Sequence, residues 1–109
     1  MIDLDAIPFR PTRFPGVSIH FYSSDRTTGR ATVMIRMEPG SSYPAHRHTG
    51  PEELLVLQGG FRDDHGTWRA GDYARFERGT SHHPIALADG PACVFFAIAH
   101  EGIESLDPT

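Results

Sequence analysis

The sequence predicts an all-β fold, a sandwich or barrel, and three features of the chain point that way. Short segments of strand character recur: 17–22, 31–37, 54–57, 73–76, 83–87 and 92–99. Turn signals rich in glycine and aspartate separate them, at Asp25 to Gly29, Pro39-Gly40, Gly59-Gly60, Asp64-His65-Gly66, Arg78-Gly79 and Asp89-Gly90-Pro91. No stretch sustains a 3.6-residue apolar period, which an amphipathic helix would require.

Taken in chain order, residues 1–15 hold Pro8, Pro11 and Pro15 and read as an extended N-terminal arm, because proline fixes φ and restrains the residue before it. Residues 16–109 then form a single barrel domain. In the strand 31–37, Val33, Ile35 and Met37 share one face, and Met34 and Arg36 share the other with Glu38 beyond them. In 54–57, Leu54 and Val56 are expected inside and Leu55 and Leu57 outside. Strands apolar on both faces call for a second covered surface, and a homodimer is the expectation.

The chemistry concentrates in Gly40-Ser41-Ser42-Tyr43-Pro44-Ala45-His46-Arg47-His48-Thr49-Gly50-Pro51-Glu52, followed by Gly59. On a strand, His46 and His48 point to one side while Arg47 points to the other. The turn Thr49-Gly50-Pro51 returns Glu52 to their neighbourhood, and His82 in Gly79-Thr80-Ser81-His82 is a fourth candidate downstream. A small divalent ion takes three or four N/O donors at about 2.0–2.2 Å. Imidazole suits zinc, iron, nickel and copper, and a carboxylate widens the choice to manganese. A surface His-x-His pair alone is usually two solvated histidines; with Glu52, the glycine frame and His82 that explanation loses ground.

Composition bounds the alternatives. A chain of 109 residues, 39% hydrophobic, is ordinary globular material with room for a modest core. No run reaches the ~18 apolar residues of a membrane span, and the acidic start Met1-Ile2-Asp3-Leu4-Asp5 lacks a basic leader, so a cytoplasmic location is expected. A formal net charge of −4 with scattered basic residues argues against nucleic acid. All ten basic residues are arginine, so lysine Schiff-base chemistry is excluded. Cys93, the single cysteine, lies in an apolar run and is expected to be a small buried hydrophobe.

The segment Gly40…His46-Arg47-His48…Glu52…Gly59 resembles the first cupin motif, G-x5-H-x-H-x3-E-x6-G, with every fixed position filled. Gly71…Gly79-Thr80-Ser81-His82 resembles the second, G-x5-P-x-G-x2-H-x3-N, with Glu77 in place of proline and Ala86 in place of asparagine. Pro39-Gly40, Glu52-Glu53-Leu54-Leu55-Val56-Leu57-Gln58-Gly59 and Asp64-His65-Gly66-Thr67-Trp68-Arg69-Ala70-Gly71-Asp72-Tyr73 are similar to the ChrR-type cupins, a group that includes the C-terminal half of a zinc anti-sigma factor. The resemblance implies a small double-stranded β-helix, the cupin jelly-roll barrel. It also implies one divalent metal ion (Fe, Zn, Mn or Ni) held by His46, His48, Glu52 and His82. The spacing from Gly79 selects His82 over His83, and the offset to Gly59 selects Glu52 over Glu53.

Two functions follow from that resemblance. One is a mononuclear metal-dependent enzyme, dioxygenase-like, acting on a small organic substrate, although no catalytic acid or base is readable. The other is a non-enzymatic zinc-binding sensory or ligand-binding module. The chain has no H-x3-C-x2-C motif, so sigma-factor binding in the manner of the anti-sigma relatives is not expected. His20, His65 and His100 are expected to be solvated or locally hydrogen-bonded. Trp68, Tyr73, Phe95 and Phe96 are expected in the core, and Tyr43 and Arg36 near a pocket mouth.

Overall fold

The computed structural model describes residues 2–106 of the chain. After a short 3-10 turn at Leu4–Ala6 come β1 (Arg10–Pro11), β2 (Val17–Ser24), β3 (Ala31–Met37), β4 (His46–His48), β5 (Glu52–Gln58) and β6 (Gly60–Asp63). The second half holds β7 (Gly66–Arg69), β8 (Tyr73–Phe76), β9 (Ser81–His82), β10 (Ile85–Ala86), β11 (Cys93–Ala99) and β12 (Ile103–Ser105). One six-stranded sheet runs β1-β2-β3-β11-β5-β8, and two three-stranded sheets, β10-β6-β7 and β12-β4-β9, complete a jelly-roll barrel.

Strand register shows how the sequence pattern builds an inside and an outside. Phe21 pairs with Val33, Val33 with Ala97, Ala97 with Leu54, and Leu54 with Ala74, so these five side chains form one row across the inner face. One residue along, His20, Met34, Phe96, Leu55 and Tyr73 form the matching row on the outer face. The inner face buries Val33, Ile35, Met37, Leu54, Val56, Phe61, Phe95 and Ala97 in one core cluster. Leu54 and Val56 are buried and Leu55 is exposed, as the alternation expects. Tyr73 departs from expectation. It stands on the outer row, exposed, and its hydroxyl donates to Glu53 Oε1 at 2.6 Å.

The expected strand 83–87 is shortened to Ile85–Ala86, which joins β10-β6-β7. Ser81–His82, just before its expected start, joins the β12-β4-β9 sheet instead, and Pro84, which has no N–H to give a ladder, lies between the two. β6 and β7 form a hairpin whose turn is built by Asp63. Its Oδ1 accepts the backbone N–H of His65 at 2.7 Å and of Gly66 at 3.2 Å, an aspartate-turn geometry. No helix of the described residues is long and apolar enough to cross a membrane.

Candidate metal centre

β4 is the middle strand of its sheet, with β12 on one side and β9 on the other. His46 lies in register with His82, and His48 points the same way two residues on. β5 opens on Glu52, which follows β4 after a tight turn. The structure therefore brings all four expected residues together: donor atoms of His46, His48, Glu52 and His82 lie within 4.8 Å of one another. His46, His48 and His82 are buried. His83 is exposed, and Glu53 turns outward to Tyr73 and His100, so neither competitor reaches the cluster.

The hydrogen bonds around the three rings determine which nitrogen faces inward. His46 Nδ1 lies 2.9 Å from the Pro44 carbonyl oxygen, which can only accept. His82 Nδ1 lies 2.7 Å from the Asp63 carboxylate, also an acceptor. His48 Nδ1 lies 3.0 Å from Thr80 Oγ1, whose own hydrogen is given to the Glu77 carbonyl at 2.5 Å. Each neutral ring thus spends its single N–H at Nδ1 and turns a bare Nε2 lone pair into the cluster. His46 Nε2 and His82 Nε2 stand 2.9 Å apart, a hydrogen-bond distance at which neither neutral ring has a hydrogen to offer. His48 Nε2 is buried with no hydrogen-bond partner, 3.5 Å from Glu52 Oε1.

Converging lone pairs beside a carboxylate leave buried polar atoms unsatisfied, which costs free energy. A divalent cation would satisfy them, and the donor set fits one. Burial favours the neutral rings the cation needs. It pushes the His46 imidazole down to about 4, helped by neighbouring His82 and opposed by the Pro44 carbonyl. Burial likewise lowers His82, against the hydrogen bond to Asp63, which favours the charged form. Phe76 forms an apolar floor, its ring stacked 5.2 Å from His48 and tilted 4.5 Å from His82.

A cavity of about 420 Å³ opens against the cluster, lined in part by His46, Glu52 and His82. Its walls are the inner rows of the large sheet, with Ile19, Val33, Ile35, Leu54, Phe95 and Ala97. Tyr43 also lines it, edge-on to His46 at a centroid distance of 5.3 Å, and burial first and Glu52 second raise its phenol above the ordinary value. Arg36, by contrast, pairs with Glu38. Ala86 is core, and the cavity wall does not include it.

Sequence reasoning missed the groups that anchor the rings, Asp63 above all. The readable signal was Asp63 opening the turn Asp63-Asp64-His65-Gly66, which fixes its backbone but does not reveal that its second oxygen meets His82.

A small jelly-roll barrel with a His-x-His strand, a carboxylate and a third histidine at its inner wall is a cupin. The chain matches the ChrR cupin-like domain over residues 1–101 and belongs to that family. The anti-sigma-E factor ChrR of Cereibacter sphaeroides is 39% identical over 61 residues, which span 55% of this chain and 29% of that relative. Among solved structures, an RmlC-like cupin of Ralstonia eutropha superimposes with a TM-score of 0.83 at 24% identity, over 99% of this chain and 72% of the other. An acetylacetone dioxygenase from Acinetobacter johnsonii superimposes with a TM-score of 0.82 at 19% identity, covering 99% and 78%. At those identities both structures speak to the fold alone.

Proposed function

We propose that the chain is a mononuclear metal-dependent cupin enzyme, dioxygenase-like, with His46, His48, Glu52 and His82 as the ligands of one divalent ion. The observation that carries the reading is the cavity beside three of those four residues. A purely structural metal site has no need of open volume at its donors, whereas chemistry on a small molecule does. Bound there, iron or manganese supplies Lewis acidity and open coordination positions for a substrate or O2. The chain itself contributes three imidazoles held in one tautomer, apolar walls that exclude water, and the Tyr43 hydroxyl as a proton-bearing group on the cavity lining beside His46. The fold shared with an acetylacetone dioxygenase adds support at the level of architecture.

The second reading is a zinc-holding sensory or ligand-binding module. Kinship with the anti-sigma-E factor ChrR favours it, and four protein donors suit a closed tetrahedral zinc site. We also read the outer row His20, Met34, Phe96, Leu55 and Tyr73 as the face on which two copies associate. Leu55 and Tyr73 are exposed there beside a buried Met34.

Elemental analysis of protein purified without chelator or metal resin separates the readings, with a His46→Ala/His48→Ala control. Stoichiometric iron or manganese, lost in the control and accompanied by O2 uptake on small diketones or phenols, is the result expected of the enzyme. Tightly held zinc with no such uptake moves the assignment to the sensory module. Protein that takes up no metal in either form sinks both readings.

A further inference from the structure

The electrostatics of the cavity specify what enters it. None of the ten arginines lines the cavity, and the chain has no lysine. Arg13 is near enough for Tyr43 to feel its charge, yet it is not a lining residue and rests over the Phe14 ring at 5.0 Å. Among the described residues, serine, threonine, asparagine and glutamine are also absent from the lining. The polar groups that remain are Tyr43, His46, Glu52, His82 and Glu101, and Glu101 is already paired with Arg78.

We infer that the cavity binds small molecules that are apolar over most of their surface and carry at most one negative charge, with their oxygen atoms presented to the edge formed by His46, Glu52 and His82. This rests on the metal-centre reading above. A divalent ion beside one carboxylate and three neutral imidazoles leaves one net positive charge, enough to neutralise a single anionic oxygen. A second carboxylate or a phosphate would then lie against Ile35, Leu54 and Phe95 with no cation and no donor to replace its water. Polyhydroxylated ligands meet the same obstacle, because away from the metal edge the lining side chains offer only Tyr43 and the already paired Glu101 to hydrogen-bond several hydroxyls. Phenols, ketones and diketones meet neither obstacle. At about 420 Å³ the volume belongs to the lower part of the ~300–1,000 Å³ range of small-molecule pockets.

The test is a matched pair of probes, pentane-2,4-dione and malonate, which share an oxygen spacing and differ in charge and apolar surface. Each is titrated calorimetrically into the zinc-loaded and the metal-free full chain. The dione is expected to bind both forms more tightly than malonate, by on the order of tenfold to a hundredfold. Phe21→Arg places a cation on the lining at a position 56% exposed, where the fold tolerates it, and is expected to narrow that gap by about tenfold. Malonate binding as well as the dione in either form, a dione that binds neither form, or a gap unmoved by Phe21→Arg overturns the inference. A chain that refuses zinc yet still prefers the dione when metal-free would instead sink the metal reading and leave the cavity's preference standing.

Discussion

Asp63 Oδ2 lies 2.7 Å from His82 Nδ1, and neither side chain reaches solvent. The other oxygen of the same carboxylate closes the β6–β7 turn, so one residue ties a hairpin to the orientation of an imidazole. Groups of this kind fix the tautomer of a metal-ligating histidine and raise its basicity. Asp63→Asn keeps one oxygen to close the turn but turns an amide NH2, a donor, toward His82 Nδ1, so that the charge and the acceptor for that ring are both removed. It is expected to fold normally and to bind divalent metal about tenfold to a hundredfold more weakly, measured by competition with a chromophoric chelator. An unchanged affinity would show that the carboxylate charge plays no part.

Acid destabilises the metal-free protein through the buried imidazoles. His46 titrates near 4 when folded and near the ordinary 6.5 when unfolded. Between those values the unfolded chain binds more protons, so stability rises with pH across the window and falls away as pH drops from 6.5 toward 4. His82 is shifted in the same direction and adds to the slope. Urea midpoints of chelator-treated protein should fall steadily across that window, and a flat profile there would contradict the burial assigned to the two rings.

The thiol of Cys93 is 1% exposed, and burial pushes it up to about 12. Thiolate is the reactive form, so the native protein should resist a chromogenic thiol reagent at neutral pH. In denaturant the same reagent should titrate one thiol per chain. Rapid reaction without denaturant would reinstate Cys93 as a redox site.

Gly59, the last fixed position of the first motif, has φ near +65°, and a Cβ there would lie 2.7 Å from the Ala92 carbonyl oxygen. Backbone strain of that kind alone costs about 1–3 kcal/mol, and the contact is with main chain that cannot rotate aside. Gly59→Ala should lower the thermal midpoint markedly while leaving the metal content of the remaining folded protein intact. Gly40, at φ near +80° with open space around it, should tolerate alanine better.

The sequence made the donors legible because three of them, His46, His48 and Glu52, are close in the chain and parity alone puts the histidines on one side. His82 came from spacing to Gly79. Strands such as Ala31–Met37 and Tyr73–Phe76 were legible for a related reason, since alternation or continuous apolarity marks them locally. β6 and β12 were not, because Arg62, Asp63, Glu104 and Ser105 carry no strand signature of their own and are strands only through their partners. The anchors of the rings were hidden for the same physical cause. Asp63 and Thr80 act on His82 and His48 from 19 and 32 residues away, through hydrogen bonds that exist only once the barrel has closed.

That closure has a kinetic consequence. The two histidines that nearly touch, His46 and His82, are separated by 36 positions, and the strand between β9 and β12 is only three residues long. Contacts of such separation form late, after the entropy of long loops has been overcome. An ion in solution would find at most a loose local grip on the unfolded chain and the complete set of donors only at the end of folding. Metal capture would then time the last step of barrel assembly, and a stopped-flow trace of metal uptake would serve as a clock for the fold itself.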